Sequence, residues 1–312
     1  MRLDQRGDSA HSIAMIGQDH DFNHLDRFGR ATARVSRNPR LAVNIVLSAG
    51  VLLAWLLLGA MAIRGAESRV PGIDAPGDTL IRYLPQLPLP DFLERFFTLC
   101  LAPAPLDGGV GAQAGALVVM WFLMAVATML PSAAPMIRTY CEIADTARIK
   151  GEAVVHPLVL VAGYLSVWLA ASAVFAALTL IVHAFASPVQ MLDPVVGATG
   201  AVALLVAGLY QFSGLKVACL MKCKNPFSIL FSNWSARPGR IFRLGMEQGV
   251  WCLGCCWALM LVMFAVGVMN VFWMALIGLF TLIEKQTAGR LPTRIAGAIL
   301  LVWAAALLVV SA

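Results

Sequence analysis

Five of the seven cysteines stand in two tight groups, Cys219 with Cys223 and Cys252 with Cys255 and Cys256, and each group borders a long apolar run. Thiols at such a boundary suit two kinds of chemistry, the binding of a soft metal ion and thiol redox exchange. In LKVACLMKCKNP the first two lie four residues apart, so one helical face carries both if the helix runs to Asn225, where Pro226 stops it. In EQGVWCLGCCW, spacings of three and four put the other three on one side of a helix. Cysteine also packs as a small buried hydrophobe, which accounts for a lone thiol. Five thiols flanking one short loop point further, to a ligand set or a redox set.

The residues beyond the thiols narrow the metal. Counting about 100° per residue from Cys252, the positions of Cys255, Cys256, Met260 and Met263 fall within an arc of about 140°. Thiolates at the mouth of the segment therefore lead to thioethers within it. Such ligands select Cu(I), whereas zinc more usually takes imidazole, and magnesium or calcium takes oxygen. Met120, Met124, Met129 and Met136 form a second series in MWFLMAVATMLPSAAPM, where Pro131 and Pro135 are expected to kink the helix and free backbone carbonyls. Methionine is equally an ordinary gap filler between helices. Glu247, five residues before Cys252, is a candidate carboxylate ligand or an acceptor of the protons that thiols release on binding metal. Glu284, Asp193, His183 and His156 are expected to reach an interface by snorkelling. His11, His20 and His24 lie in a polar tail without regular spacing, as solvated side chains do.

Composition dictates the elements that position these residues. With 312 residues, 60% hydrophobic and only 13% charged, the chain has too much apolar surface for one soluble core, and that surface comes in long runs. The fold class is an all-α, polytopic transmembrane helix bundle of about seven spans. Spans are expected at 41–63, 114–137, 157–185 and 194–212. The 35 residues from Gly249 to Ile283 carry no charge and should fold back at Gly267 to Asn270, leaving a short second arm over 271–284 that spans or re-enters. A last span covers Ile295 to Ser311. The organisation is a polar cytoplasmic tail over 1–40, an anchor over 41–63, an extracytoplasmic loop over 64–113 and a metal-binding transmembrane bundle over 114–312. The loop is proline-rich, with one short amphipathic helix expected from Asp91 to Cys100. The first apolar run lies behind a long polar segment, as in a signal anchor rather than a cleaved leader.

Orientation follows from the basic residues. With a cytoplasmic N-terminus, 19 of the 23 lysines and arginines lie inside, and the other four fall in the 64–113 loop. The net charge of +6 is thereby explained by topology, and nucleic acid is not an expected partner. Both thiol groups then face the reducing side, where free thiols are the default.

On YQFSGLKVACLMKCKNP, EQGVWCLGCCWALMLVMFAVGVMN and the second-span methionine and proline run, the chain resembles a bacterial family of predicted metal-binding integral membrane proteins. That family includes membrane copper chaperones of tyrosinase-type polyphenol oxidases. The resemblance covers roughly residues 110–310 and rests on Tyr210, Gln211, Lys216, Cys219, Cys223, Pro226, Gly249, Cys252, Gly254, Cys255, Cys256, Trp257, Met260, Met269 and Asn270 in combination. One departure is Thr128, where the family often has a second methionine before Met129. The resemblance implies a multi-pass protein of the bacterial inner membrane that binds copper in support of a copper-dependent oxidase. The expectation is a chaperone and not an enzyme, holding Cu(I) at Cys219, Cys223, Cys252, Cys255 and Cys256 with Met260, Met263 and Glu247, and having the lipid bilayer and an oxidase client as partners. Two other readings stay open. A soft-metal transporter rests on the Met260 and Met263 stripe, and a thiol-disulfide protein rests on adjacent Cys255 and Cys256 with Cys100 and Cys141.

Overall fold

The computed structural model describes residues 39–67, 90–101, 109–186, 193–225, 229–230, 234–267 and 270–311. The histidine-bearing tail, most of the 64–113 loop, Pro226 and Met269 lie outside the described residues. Residues 43–312 form one unit, to which all that follows refers.

Every element among the described residues is a helix: α1 Pro39–Glu67, α2 Asp91–Leu101, α3 Gly109–Ile149, α4 Pro157–Ala186, α5 Asp193–Gln211, α6 Gly214–Lys224, α7 Pro238–Val266, α8 Val271–Gln286 and α9 Leu291–Ser311. Five of them (α1, α3, α4, α7 and α9) are long and apolar enough to cross a membrane, and a sixth crossing is counted if the bent pair α5 and α6 is one span. The expected seventh is α8, whose 16 residues reach only about 24 Å against the ~30 Å of a hydrocarbon core. The count of seven is thus not reached by length and composition.

Two features at the span ends shape the site. The fourth span ends beside its expected limit of 212, short of the first thiol pair, but the chain then bends. The span stops at Gln211, and a new helix starts at Gly214, where Ser213 Oγ accepts from the Lys216 amide at 3.1 Å, turning the axis by 66°. The fifth span begins at Pro238, a proline suited to the first helical turn, so Cys252 sits deep in α7 rather than at its start. The fold-back at Gly267 is as expected. Gly267 has φ +97°, a conformation open to glycine, and Asn270 Oδ1 caps α8 by accepting from the Trp273 amide at 3.2 Å. The loop helix is α2, within one residue of its expected range, tied to α1 by Arg64 and Glu94 at 3.0 Å.

Helix α3 runs unbroken through Pro131 and Pro135 for 41 residues. It and α7 are the central helices, with 56% and 50% of their apolar windows buried, against 17% for α1. Small residues let the backbones meet. A Cβ at Gly163 would collide with the Phe242 carbonyl, and one at Gly245 with the Leu160 carbonyl, so α4 and α7 touch along their backbones. The pairings also fix directions. Leu160 meets Gly245 and Val167 meets Gly249, so α4 and α7 run parallel. Thr128 meets Gly278 and Ser132 meets Lys285, so α3 and α8 run parallel. Gly208 meets Leu301 and Phe212 meets Gly297, so α5 and α9 run antiparallel.

Candidate metal centre

Three thiols of α7 converge because residues at i, i+3 and i+4 share a helix face. The sulfurs of Cys252, Cys255 and Cys256 all lie within 4.8 Å of one another. Cys256 Sγ is 4.0 Å from Cys252 Sγ and 3.3 Å from Cys255 Sγ. All three are buried, at 1–3% exposure. In the resting arrangement Cys255 and Cys256 both donate to the Cys252 carbonyl oxygen, at 3.0 and 2.7 Å. A bound metal would displace these two weak donations.

Helix α6 supplies the fourth sulfur. Cys223 Sγ is 3.9 Å from Cys255 Sγ and is half-buried, the most open thiol of the group. Cys219 is buried on the same helix and reaches α7 at Gly254, where a Cβ would come within 2.7 Å of its sulfur. Glycine at 254 is what lets the two thiol-bearing helices close. The bend at Ser213 aims α6 at this face of α7, and Tyr210 at the end of α5 donates its hydroxyl to the Gly254 carbonyl. Thiols 32 residues apart in sequence thereby share one cluster.

Two polar groups complete the surroundings. Lys285, next to the end of α8, donates to Cys252 Sγ at 3.0 Å and to Ser132 Oγ at 2.8 Å. The Tyr164 hydroxyl lies 3.0 Å from Cys252 Sγ and 3.1 Å from the Met129 carbonyl oxygen to which it donates. Lys285 sets a full positive charge against the sulfur that must become negative to bind metal. In the sequence Tyr164 stands unmarked inside an apolar run, and Lys285 reads only as a topology signal. Its one visible trace was a lysine directly after an otherwise uncharged arm and its terminal glutamate.

The remaining candidates are placed as follows. Met260 and Met263 are buried along α7 beyond Cys256. Met136 lines a pocket of about 80 Å³ beside Cys252 and Cys223. Glu247 is exposed; its neighbour Gln248, not Glu247, lines that pocket. Thr128 donates to the Met124 carbonyl at 2.7 Å and packs on Gly278, so the position where the family often has methionine serves the α3–α8 contact here. Glu284 does not snorkel. It is 3% exposed, paired with the fully buried Lys216 at 3.0 Å, and accepts from Thr293 at 2.6 Å. That pair ties α6 to α8, since an unpaired charge in this position would cost several kcal/mol.

Cys252, Leu253, Gly254 and Cys255 form a C-x-x-C, the spacing of many thiol-disulfide exchange sites. Exchange needs an accessible thiolate, and both of these thiols are buried. Cys100, its suggested partner across the membrane, is buried in α2, and burial pushes its thiol up to about 12. It offers no thiolate near neutral pH.

A sulfur-only set of four thiols, three of them buried, backed by an ammonium group is the donor chemistry of a soft, monovalent or thiophilic ion. The family model described as PpoB2, copper chaperone, matches residues 118–307. The chain belongs to this copper chaperone family. No curated protein and no solved structure matches it. The match to the PpoB2 family takes in the helices that build the centre, from within α3 to α9.

Proposed function

We propose that this copper chaperone holds Cu(I) on Cys252, Cys255 and Cys256, with Cys223 as the exchangeable fourth thiol, and hands it to a copper-dependent oxidase. The observation that carries the reading is three buried sulfurs within 4.8 Å of one another in a chain of a copper chaperone family. A chaperone must release its ion, and a surplus of two- and three-coordinate sulfur ligands permits stepwise exchange, in which one Cu–S bond forms as another breaks. Cys223 suits the first and last step because it is the more open thiol on the pocket wall. Cys219 supports α6 against Gly254, and Met260 and Met263 extend the soft lining beyond the thiols. Glu247, exposed as it is, has no part in this arrangement. The setting is the bacterial inner membrane with a cytoplasmic N-terminus, which keeps the thiols on the reducing side.

Protein purified without oxygen should bind copper with sulfur-dominated coordination by X-ray absorption. Replacing Cys252, Cys255 and Cys256 together by Ser should abolish most of the binding while the helical circular dichroism persists. Full copper retention in a folded triple variant would overturn the assignment. Four thiols also satisfy the ligand count of zinc, so the same protein should lose zinc to Cu(I) in competition.

A further inference from the structure

The entrance to the thiol cluster has a charge of its own. Resting on the copper reading above, we infer that the cargo arrives as a small anionic Cu(I)–thiolate complex and not as a free or positively complexed ion. The pocket beside Cys252 and Cys223 is lined at its rim by Lys224 and Lys285. Behind it lies a larger cleft of about 730 Å³ between α1, α3 and α8, into which Arg138 faces. Volumes of this order hold small-molecule ligands, whereas about 80 Å³ next to the thiols admits an ion and little more. The two recesses share Pro135, Leu282 and Gln286 as a common wall, so a complex seated in the cleft is one layer of side chains from the sulfurs.

No carboxylate is among the described residues lining either recess, and three full positive charges are. The C-terminal ends of α6 and α8 at this rim contribute about half a negative charge each, which leaves the balance positive. Lys224 spends one hydrogen bond on the Thr287 carbonyl, at 2.7 Å, and keeps its charge. Gln248 adds a second, independent pointer. It is 4% exposed and lines the thiol pocket, and its Nε2 donor has no hydrogen-bond partner. A donor without a partner at a positive rim fits an anion. Handover is then ligand exchange without redox change: copper stays Cu(I), each Cys–S–Cu bond forms as a donor S–Cu bond breaks, and the proton leaving the cysteine goes to the departing thiolate.

The test compares two donors in stopped-flow loading of the full chain in detergent. Glutathione gives a Cu(I) complex that is negative at neutral pH, and cysteamine gives one that is positive. The glutathione complex should load faster at low ionic strength, with the advantage shrinking in high salt. K224Q and R138Q should slow glutathione loading about three- to tenfold and leave cysteamine loading unchanged or faster, while K224R restores the wild-type ratio. Copper stoichiometry at equilibrium should stay the same in all of them. A donor ratio indifferent to salt and to both substitutions would overturn the inference, as would much faster loading from a copper-carrying protein. Failure of the wild-type chain to take copper from either complex would instead bring down the thiol site itself.

Discussion

Cys252 is the residue on which the centre turns, because three different helices address its sulfur. Tyr164 of α4 and Lys285 of α8 each reach it at 3.0 Å, and its own helix brings Cys256 within 4.0 Å. Of these, Lys285 has the largest energetic leverage, since a hydrogen bond to a charged sulfur contributes about 1.5–3 kcal/mol where a neutral one contributes about half as much. Replacing Lys285 by Met removes the ammonium and keeps the bulk. K285M should weaken Cu(I) binding by about tenfold or more in competition with a chromogenic Cu(I) chelator, and K285R should recover part of the loss. Unchanged affinity in K285M would mean that Lys285 serves only Ser132 and the packing of α3 on α8.

At the scale of elements, the site depends on holding α6 and α8 together around the face of α7. The buried pair of Lys216 and Glu284 does this, with Thr293 of α9 as a third partner. Removing one member strands a buried charge, at a cost of about 3–5 kcal/mol, whereas replacing both by apolar residues is often neutral. K216M alone should therefore lower the melting temperature of the detergent-solubilised protein sharply, and K216M with E284L should restore most of it. If the double variant melts as low as the single one, the pair carries more than a local clamp. The same helices mark how far the sequence could be read. Apolar runs and helical spacing made α1, α3, α4 and the break at Gly267 legible, and even α2, because each depends on neighbours in sequence. The end of the fourth span near 212 was legible from Gln211, Ser213 and Lys216, but the 66° bend there was hidden, since hydropathy along the chain carries no axis direction. Glu284 was misjudged as interfacial because its partner stands 68 residues away, a distance that only packing can close. The thiol cluster itself was largely visible, but the Lys285 and Tyr164 contacts at its heart were not, as both cross between helices far apart in the chain.

The molecule as a whole is ordered by the directions of its helices. Parallel pairing of α4 with α7 and of α3 with α8, and antiparallel pairing of α5 with α9, are all satisfied if every helix from α3 to α9 reverses the one before, counting α5 and α6 together. For that, α8 must return across the bundle despite its 16 residues. Lys224 at the end of α6 bonds the carbonyl of Thr287 just beyond α8, which draws the ends of the two helices to the same side. A short apolar helix can be accommodated by local thinning of the bilayer at a fraction of a kcal/mol per Å, and Lys285, Arg290 and Arg294 beyond its apolar run then stay on the inner face. Reporter fusions should accordingly place residues 145, 230 and 288 in the cytoplasm and residue 75 and the C-terminus outside. A cytoplasmic C-terminus together with an external residue 288 would make α8 re-entrant. It would also put the Lys224 and Lys285 contacts in conflict with the membrane, so the positive rim around the thiols and the seven-crossing path stand or fall on the same measurement.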